Sequence, residues 1–124
     1  MSYEIGCCGI WGVEITEENV GKELHDKLCQ AIADYDTDKH DAVSDALEPL
    51  NNSVRLVLAK GGVVVPDNCY LDYTGSGDDY PGRCATPAET ILFGLGMYMP
   101  PWQCPTVDES FKKVADLHTW CWGG

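Results

Sequence analysis

The sequence predicts an α+β fold, in which a small antiparallel sheet of about three to four strands packs with three to four helices in a single domain, residues 1–124. Two patterns carry this prediction. Apolar residues recur at helical spacing in ITEENVGKELHDKLCQAIADY, whereas shorter apolar stretches on either side of it alternate as strands do. A chain of 124 residues is also long enough to bury a core without disulfide bonds.

The first two predicted elements are a strand and a long helix. Residues 3–15 read as extended, and the glycines within them suggest a bulge or a close backbone approach. Residues 17–35 read as a helix with Thr16 as the N-cap. Gly21 lies in that helix at a cost of about 0.5–1 kcal/mol relative to Ala, so we expect another backbone to pack against it. The apolar stripe is formed by Val20, Leu24, Leu28, Ala31, Ile32 and Tyr35.

The middle of the chain predicts a second helix followed by extended segments. Residues 40–50 read as a shorter helix, which Pro49 and the pair Asn51-Asn52 are expected to end. Residues 53–59 and 63–65 read as a β-hairpin around a Lys-Gly-Gly turn. Residues 69–74 alternate and are predicted to be a further strand.

The C-terminal part predicts a loop and one or two further helices. Residues 75–83 are a loop on composition alone. Thr-Pro-Ala-Glu at 86–89 is a helix start, so the apolar run TILFGLGMYM is predicted to be a central helix. From Asp108 the chain reads as helical, with an extended alternative over LHTWCW.

The charge of the chain is strongly negative and unevenly distributed. There are 20 acidic and 8 basic residues, a net charge of −12. Glu14 to Glu48 carries a net charge of −8, and Asp67 to Glu89 a net charge of −4. Such a field repels free nucleic acid and anionic membranes and attracts a basic protein surface.

Cysteine usage and the N-terminal residues predict a cytoplasmic protein. The seven cysteines form no CxxC pair, which favours free thiols over a disulfide framework. MSYEIGCCGIWG lacks the pattern of a secretory signal, and no apolar run approaches the roughly 20 residues that span a bilayer. For a phage-encoded protein, the expected compartment is the host cytoplasm.

Two sets of residues are candidate metal ligands. Asp34, Asp36, Asp38 and Asp45 have the spacing of positions 1, 3, 5 and 12 of a calcium-binding EF-hand loop. Lys39 stands where that loop requires glycine, and Asp45 is shorter than the usual glutamate. The alternative is a solvated acidic connection between two helices.

The second set could bind zinc. His25 and Cys29 are four residues apart, and His118 and Cys121 are three apart, so each pair suits one face of a helix. Together they would supply the two histidines and two cysteines of a tetrahedral site. The alternative is a boundary histidine beside a buried thiol.

No recognised catalytic motif is present, which favours a binding protein over an enzyme. The sequence lacks a P-loop, a G-x-S-x-G nucleophile turn and an H-E-x-x-H metal motif. A cysteine-dependent enzyme stays open only because cysteine, histidine and acidic residues are all available. A domain that binds a metal or a small ligand is the other alternative.

These observations lead to the hypothesis of an acidic protein that docks on a basic protein and blocks it. Its carboxylates would take the place of nucleic-acid phosphates, as in a phage anti-defence inhibitor or an immunity protein for a basic toxin. Trp102 and Trp122 are the candidate aromatic anchors. A homodimer stays open, and no direct binding to nucleic acid or membrane is expected. The candidate charged residues are Asp34, Asp36, Asp38, Asp41, Asp45, Asp78 and Asp79.

Overall fold

Strand β1 (Ile5–Glu14) lies inside a four-stranded antiparallel sheet in the computed structural model of the chain. The structure describes residues 5–75, 86, 89–97 and 105–123, without the side chains of residues 5–7 and 121–123. The sheet has the order β2-β3-β1-β4 and thus confirms the predicted α+β class. The other strands are β2 (Tyr70–Tyr73), β3 (Ile91–Met97) and β4 (Asp116–Gly123).

Five helices connect these strands in the described part of the chain. Their bounds are α1 (Glu17–Val20), α2 (Lys22–Ala33), α3 (Val43–Leu47), α4 (Asn51–Lys60) and α5 (Glu109–Val114). A short 3-10 turn at Glu48–Leu50 joins α3 directly to α4. The connection therefore leaves no loop between those two helices.

The predicted long helix is present, but it is interrupted at Gly21. Thr16 caps α1 as expected: its Oγ1 accepts the N–H of Asn19 (3.3 Å), and Asn19 Oδ1 accepts the N–H of Thr16 (2.8 Å). Gly21 then adopts φ +90°, a conformation that residues with a Cβ rarely reach. The expected close backbone contact is wrong, because no described atom lies within 4 Å of the place a Cβ would take.

One face of the sheet is covered by the helices, and this layer holds the main core. Buried side chains of α2, α3, α4 and α5 pack there against those of β1, β2 and β3. Burial of each leucine or phenylalanine side chain stabilises the fold by roughly 1.5–3 kcal/mol. The fully buried members are Leu28, Leu47, Val54, Leu71, Phe93 and Phe111.

The opposite face of the sheet carries a second, smaller apolar cluster. Ile10, Leu92 and Trp120 are buried together there, with Cys8 and Tyr70 packed against them. Successive residues of a strand point to opposite faces, so Leu92 belongs to this cluster while its neighbour in β3 belongs to the main core. Strand β3 is therefore buried on both faces.

Helix α4 replaces the β-hairpin predicted for residues 53–59 and 63–65. Val54 and Leu58 are both buried one helical turn apart, whereas Leu56 is 62% exposed. Helix α3 ends at Leu47, but the chain continues through the 3-10 segment into α4. Pro49 permits this because it lies in the first turn of the 3-10 segment, where an N–H is not needed.

The central helix predicted from TILFGLGMYM is also wrong, since Ile91–Met97 is strand β3. The last segment is helical only to Val114 and then extended, so the extended alternative for LHTWCW is the one that forms. The predicted strand over 69–74 is confirmed as β2. The predicted loop over residues 75–83 lies outside the described residues, apart from its first one.

The single arginine among the described residues is used inside the fold. The Arg55 guanidinium donates hydrogen bonds to the carbonyl oxygens of Pro66 (2.8 Å) and Asp67 (3.1 Å). It also lies 5.8 Å from the centre of the Phe93 ring, a cation–π distance. This side chain thus fastens the segment after α4 to the sheet.

Within the described residues, none of the helices has both the length and the apolar character that crossing a bilayer requires.

We predict that Gly12→Ala destabilises the protein by about 1–3 kcal/mol, because the added methyl group overpacks the centre of the sheet. Its Cβ would lie 2.6 Å from the Phe93 carbonyl oxygen and 2.7 Å from the Gly94 Cα. Urea unfolding measures the loss. Gly61→Ala is the control: its nearest contact is 3.4 Å and its φ is −80°, so stability should change little. Equal stability of Gly12→Ala and wild type would contradict the strand packing.

Candidate functional site

The most acidic stretch connects α2 to α3, and we call residues 34–48 the acidic segment. Asp34 caps the end of α2, and Asp45 lies in the first turn of α3. Asp36, Asp38 and Asp41 lie between those helices. All five are exposed except Asp36, which is half-buried, so the segment presents its charge to solvent.

Local hydrogen bonds hold several of these carboxylates in place. Asp34 Oδ1 accepts from Gln30 Nε2 (3.0 Å), and Asp36 Oδ1 accepts the N–H of Asp38 (2.9 Å). Asp45 Oδ2 accepts the N–H of Ala42 at 3.3 Å. Each of these bonds restricts the carboxylate, so a partner that binds it loses less conformational entropy.

A turn in the middle of the acidic segment gives the backbone a defined shape. The carbonyl oxygen of Asp36 accepts the N–H of Lys39 (3.0 Å) and of His40 (3.1 Å). The rings of Tyr35 and His40 stack with centroids 6.4 Å apart. The segment is thus an ordered connection between two helices.

No lysine or arginine that the structure describes forms an ion pair with a carboxylate of this segment. Among the described residues, the one ion pair within 4.0 Å joins Lys27 to Glu23, at 3.8 Å on the exposed side of α2. Lys39 is the one basic residue of the acidic segment, and it forms no such pair. The negative field at this surface is therefore uncompensated in the described structure.

Next to the acidic segment, a cavity of about 530 Å³ opens at the ends of β1 and β3. Ile15 and Ile91 form part of its apolar wall. Three glutamates line it, and all three are exposed: Glu14, Glu17 and Glu89. The cavity therefore combines an apolar interior with carboxylates at its opening.

The first pair of the predicted zinc ligands lies in this cavity. His25 and Cys29 are one turn apart on α2, and His25 Nδ1 lies 3.8 Å from Cys29 Sγ. Cys29 is exposed, so its thiol is accessible to reagents. By contrast, Cys69 is buried, and burial raises the pKa of its thiol to about 11, an effect that the charge of Arg55 opposes in part.

A second cleft, of about 350 Å³, lies on the other side of Tyr73. Tyr73 lines both openings, while Asp41 and Asp72 line the second. No lysine or arginine among the described residues lines either of them. The two openings share Tyr73, and the second contains Asp41 of the acidic segment. We call the acidic segment and the acidic residues of the two openings, including Asp72 on strand β2, the acidic surface.

Asp72 is a half-buried carboxylate at the second cleft. Burial raises the pKa of its carboxyl group, while the N–H of Tyr73, which donates to Asp72 Oδ1 at 2.8 Å, lowers it in part. A half-buried acid that lines a cleft is a good candidate for contact with a cation. Sequence reasoning missed it, although the alternation in β2 places it on the face opposite Leu71.

The second pair of the predicted zinc ligands does not lie on a helix. His118 and Cys121 belong to strand β4, where they are paired with Ile10 and Cys7 of β1. Positions three apart on a strand belong to opposite faces, so the expected shared helical face does not form. In the part of the chain that the structure describes, no three His, Cys, Asp or Glu residues group to hold a metal ion. Zinc and calcium remain predictions.

Of the four remaining candidate residues, the structure describes only the backbone of Trp122. Asp78, Asp79 and Trp102 lie outside the described residues. The backbone of Trp122 pairs with Gly6, while its side chain is outside the description. Their predicted roles as charges and anchors stay predictions.

Comparisons of the chain with models of protein families, with curated proteins and with solved structures find no significant match. The function is therefore inferred from the geometry and charge of this chain alone.

We predict that the wild type loses stability as the pH rises because the half-buried Asp72 carboxyl becomes charged, and that Asp72→Asn does not show this loss. The raised pKa means that the folded state holds the proton more tightly than the unfolded chain. The stabilisation by the protonated Asp72 carboxyl is thus complete below the pKa that this group has in the unfolded chain, near 3.8. It disappears as the pH passes the raised pKa of the folded state. The amide of Asn keeps the hydrogen bond from Tyr73 without the charge.

Urea unfolding between pH 3.5 and 7.5 tests this (a range set by typical carboxyl pKa values, about 4). Asp116→Asn is a matched control, because exposed Asp116 accepts the N–H of Leu117 at the same 2.8 Å. We expect the control to follow the wild type, whereas Asp72→Asn becomes the more stable protein as the pH rises. Parallel curves for all three proteins would exclude a burial cost at Asp72.

Proposed function

We propose that this protein docks its acidic surface on a basic surface of another protein and so blocks that surface. The observation that carries the proposal is the set of carboxylates in the acidic segment, three of them held by local hydrogen bonds and none of them in an ion pair with a described residue, next to two clefts lined by acidic residues. Electrostatic complementarity of this kind speeds association and selects basic partners. Carboxylates placed in this way can occupy the positions that phosphates take on a nucleic-acid-binding protein.

The cavity beside α2 adds a short-range component to this docking. The glutamates at its opening would bind the cationic end of a lysine or arginine, while its apolar wall would cover the aliphatic stem. Such side chains are the residues that contact phosphates in nucleic-acid-binding proteins. The partner is therefore a protein that handles nucleic acid, or a basic toxin. An anti-defence inhibitor of phage type and an immunity protein are two biological forms of the same mechanism.

The residues named in this proposal have two kinds of support. Asp34, Asp36, Asp38, Asp41 and Asp45 belong to the acidic segment itself. Asp78, Asp79, Trp102 and Trp122 enter the proposal from the sequence alone, as further charges and aromatic anchors.

The test replaces the five aspartates of the acidic segment with asparagine. Asn keeps the oxygen acceptors that bind Gln30, Asp38 and Ala42, so the segment keeps its shape while it loses five charges. The partner is captured from host lysate at low salt and identified, and its affinity is then measured by calorimetry at two salt concentrations. We expect affinity to fall about 100-fold or more and the salt dependence to become weaker.

A matched variant neutralises five exposed acids elsewhere, with the same change of net charge. We expect its affinity to stay within about threefold of the wild type, because none of the five belongs to the acidic segment or lines either opening, and isolated surface charges contribute little. Equal losses in both variants, or an affinity that does not depend on salt, would count against docking by this segment. The control set is Glu18, Glu23, Asp26, Glu109 and Asp116.

A second candidate function is binding of a metal or small ligand in the cavity beside α2. The contact that favours it is the 3.8 Å approach of His25 and Cys29, two zinc ligand types on one helical face. Under this alternative, purified protein should hold stoichiometric zinc through dialysis and lose it on Cys29→Ser. Elemental analysis measures the zinc content. Cys69→Ser is the control and should keep the zinc, because Cys69 is buried and does not line the cavity. Zinc-free protein would leave docking as the one supported function.

A further inference from the structure

The pairing of β1 with β4 places two cysteines directly opposite each other. Cys7 and Cys121 are Cα partners in the antiparallel register. The same pairing runs without a break from Ile5, opposite Gly123, to Gly12, opposite Asp116. The juxtaposition therefore lies within a continuous ladder and does not depend on a single isolated contact.

From this register we propose that Cys7 and Cys121 form a reversible cross-strand disulfide when the protein meets an oxidant such as hydrogen peroxide. Opposed residues of an antiparallel pair have Cα atoms about 4.5 or 5.5 Å apart. Disulfides require Cα separations of about 4.4–6.8 Å, so either kind of pair satisfies the requirement. The Cα separation of a directly opposed pair is therefore compatible with a disulfide bond.

The register also excludes the neighbouring cysteine as the partner. Cys8 is opposite Trp120, and its position belongs to the other face of β1. The other two cysteines that the structure describes are in unrelated places: Cys29 is exposed on α2, and Cys69 is buried beside β2. Cys84 and Cys104 lie outside the described residues, so they are included as variants in the test.

The reaction is balanced with peroxide as the oxidant. One thiolate attacks the peroxide O–O bond, which gives a sulfenic acid and hydroxide. The second thiolate then displaces hydroxide from that sulfur and forms the S–S bond. The two thiols lose two electrons and two protons in total, and the peroxide is reduced to two molecules of water. A thiol reductant such as dithiothreitol reverses the change by exchange.

The consequence of the bond is greater stability, because it links the strands at the two ends of the chain. A disulfide that closes a long loop removes more conformational freedom from the unfolded state than one that closes a short loop. The bond would join β1 to β4 and enclose almost the whole sequence. Oxidation should therefore raise the unfolding temperature and slow the separation of these two strands.

The experiment oxidises the full chain with peroxide, blocks the remaining thiols and maps linked peptides by mass spectrometry. The expected wild-type result is a peptide pair joined through Cys7 and Cys121, with the loss of two hydrogens and a rise in Tm of about 5 °C or more. Dithiothreitol should abolish the linked peptide pair and the rise in Tm. Because mapping uses the wild type, the result does not depend on whether any variant folds.

Variants then test which thiols are required. Cys7→Ser and Cys121→Ser should each lose the linked peptide and the rise in Tm, whereas Cys8→Ser, Cys84→Ser and Cys104→Ser should keep both. A wild-type link through any other cysteine, or complete blocking of both thiols after oxidation, would overturn the proposal. The outcome is independent of the docking proposal, because neither residue belongs to the acidic surface.

Discussion

Burial of strand β3 on both faces is the constraint on which the rest of the structure depends. Phe93 and Leu92 are adjacent and both fully buried, so each side of the sheet needs its own cover. The helices supply it on one side, and the cluster of Ile10 and Trp120 is buried on the other. The close contact of Gly12 with Gly94 brings β1 and β3 together at this point. The acidic surface is carried at the ends and edge of this packed sheet.

The same constraint explains which elements the sequence could predict. Strand β1, the capped helical region after it and strand β2 have local patterns that match their final environment. The two strands form where they are predicted, and the helical region also forms there, although Gly21 divides it into α1 and α2. Strand β3 has no alternation, because side chains on both of its faces are buried, and such a run cannot be distinguished from a buried helix by its period. The burial of both of its faces is a tertiary property.

Helix α4 was missed for a different reason. Val54, Leu56 and Leu58 alternate as in a strand, but only Val54 and Leu58 are buried, at helical spacing. The exposed Leu56 gives the apolar residues a spacing of two, which is the spacing of a strand. Local patterns give the order of polar and apolar residues, whereas burial depends on which neighbour covers each position, and here α4 packs on the sheet.

The candidate site shows the same division between local and long-range information. The aspartates of the acidic segment are close in sequence, so their clustering was evident from the sequence. The cavity and the cleft were not, because Glu17, Tyr73 and Glu89 come from separate parts of the chain. Asp72 is a candidate contact because the fold brings it into one cleft with Asp41, which is distant in sequence. A single sequence contains no signal for such a meeting of distant residues.

The two outer strands of the sheet have hydrogen-bonding groups that could join a strand from another molecule. On β2, the side-chain oxygen of Asn51 accepts the N–H of Leu71 at 3.1 Å. On β4, the carbonyl oxygen of Thr119 accepts the N–H of Thr86 at 2.8 Å. Each bond occupies a group that an incoming strand would need, and β2 is only four residues long. The fold thus contains its own protection against edge-to-edge polymerisation into β-rich aggregates.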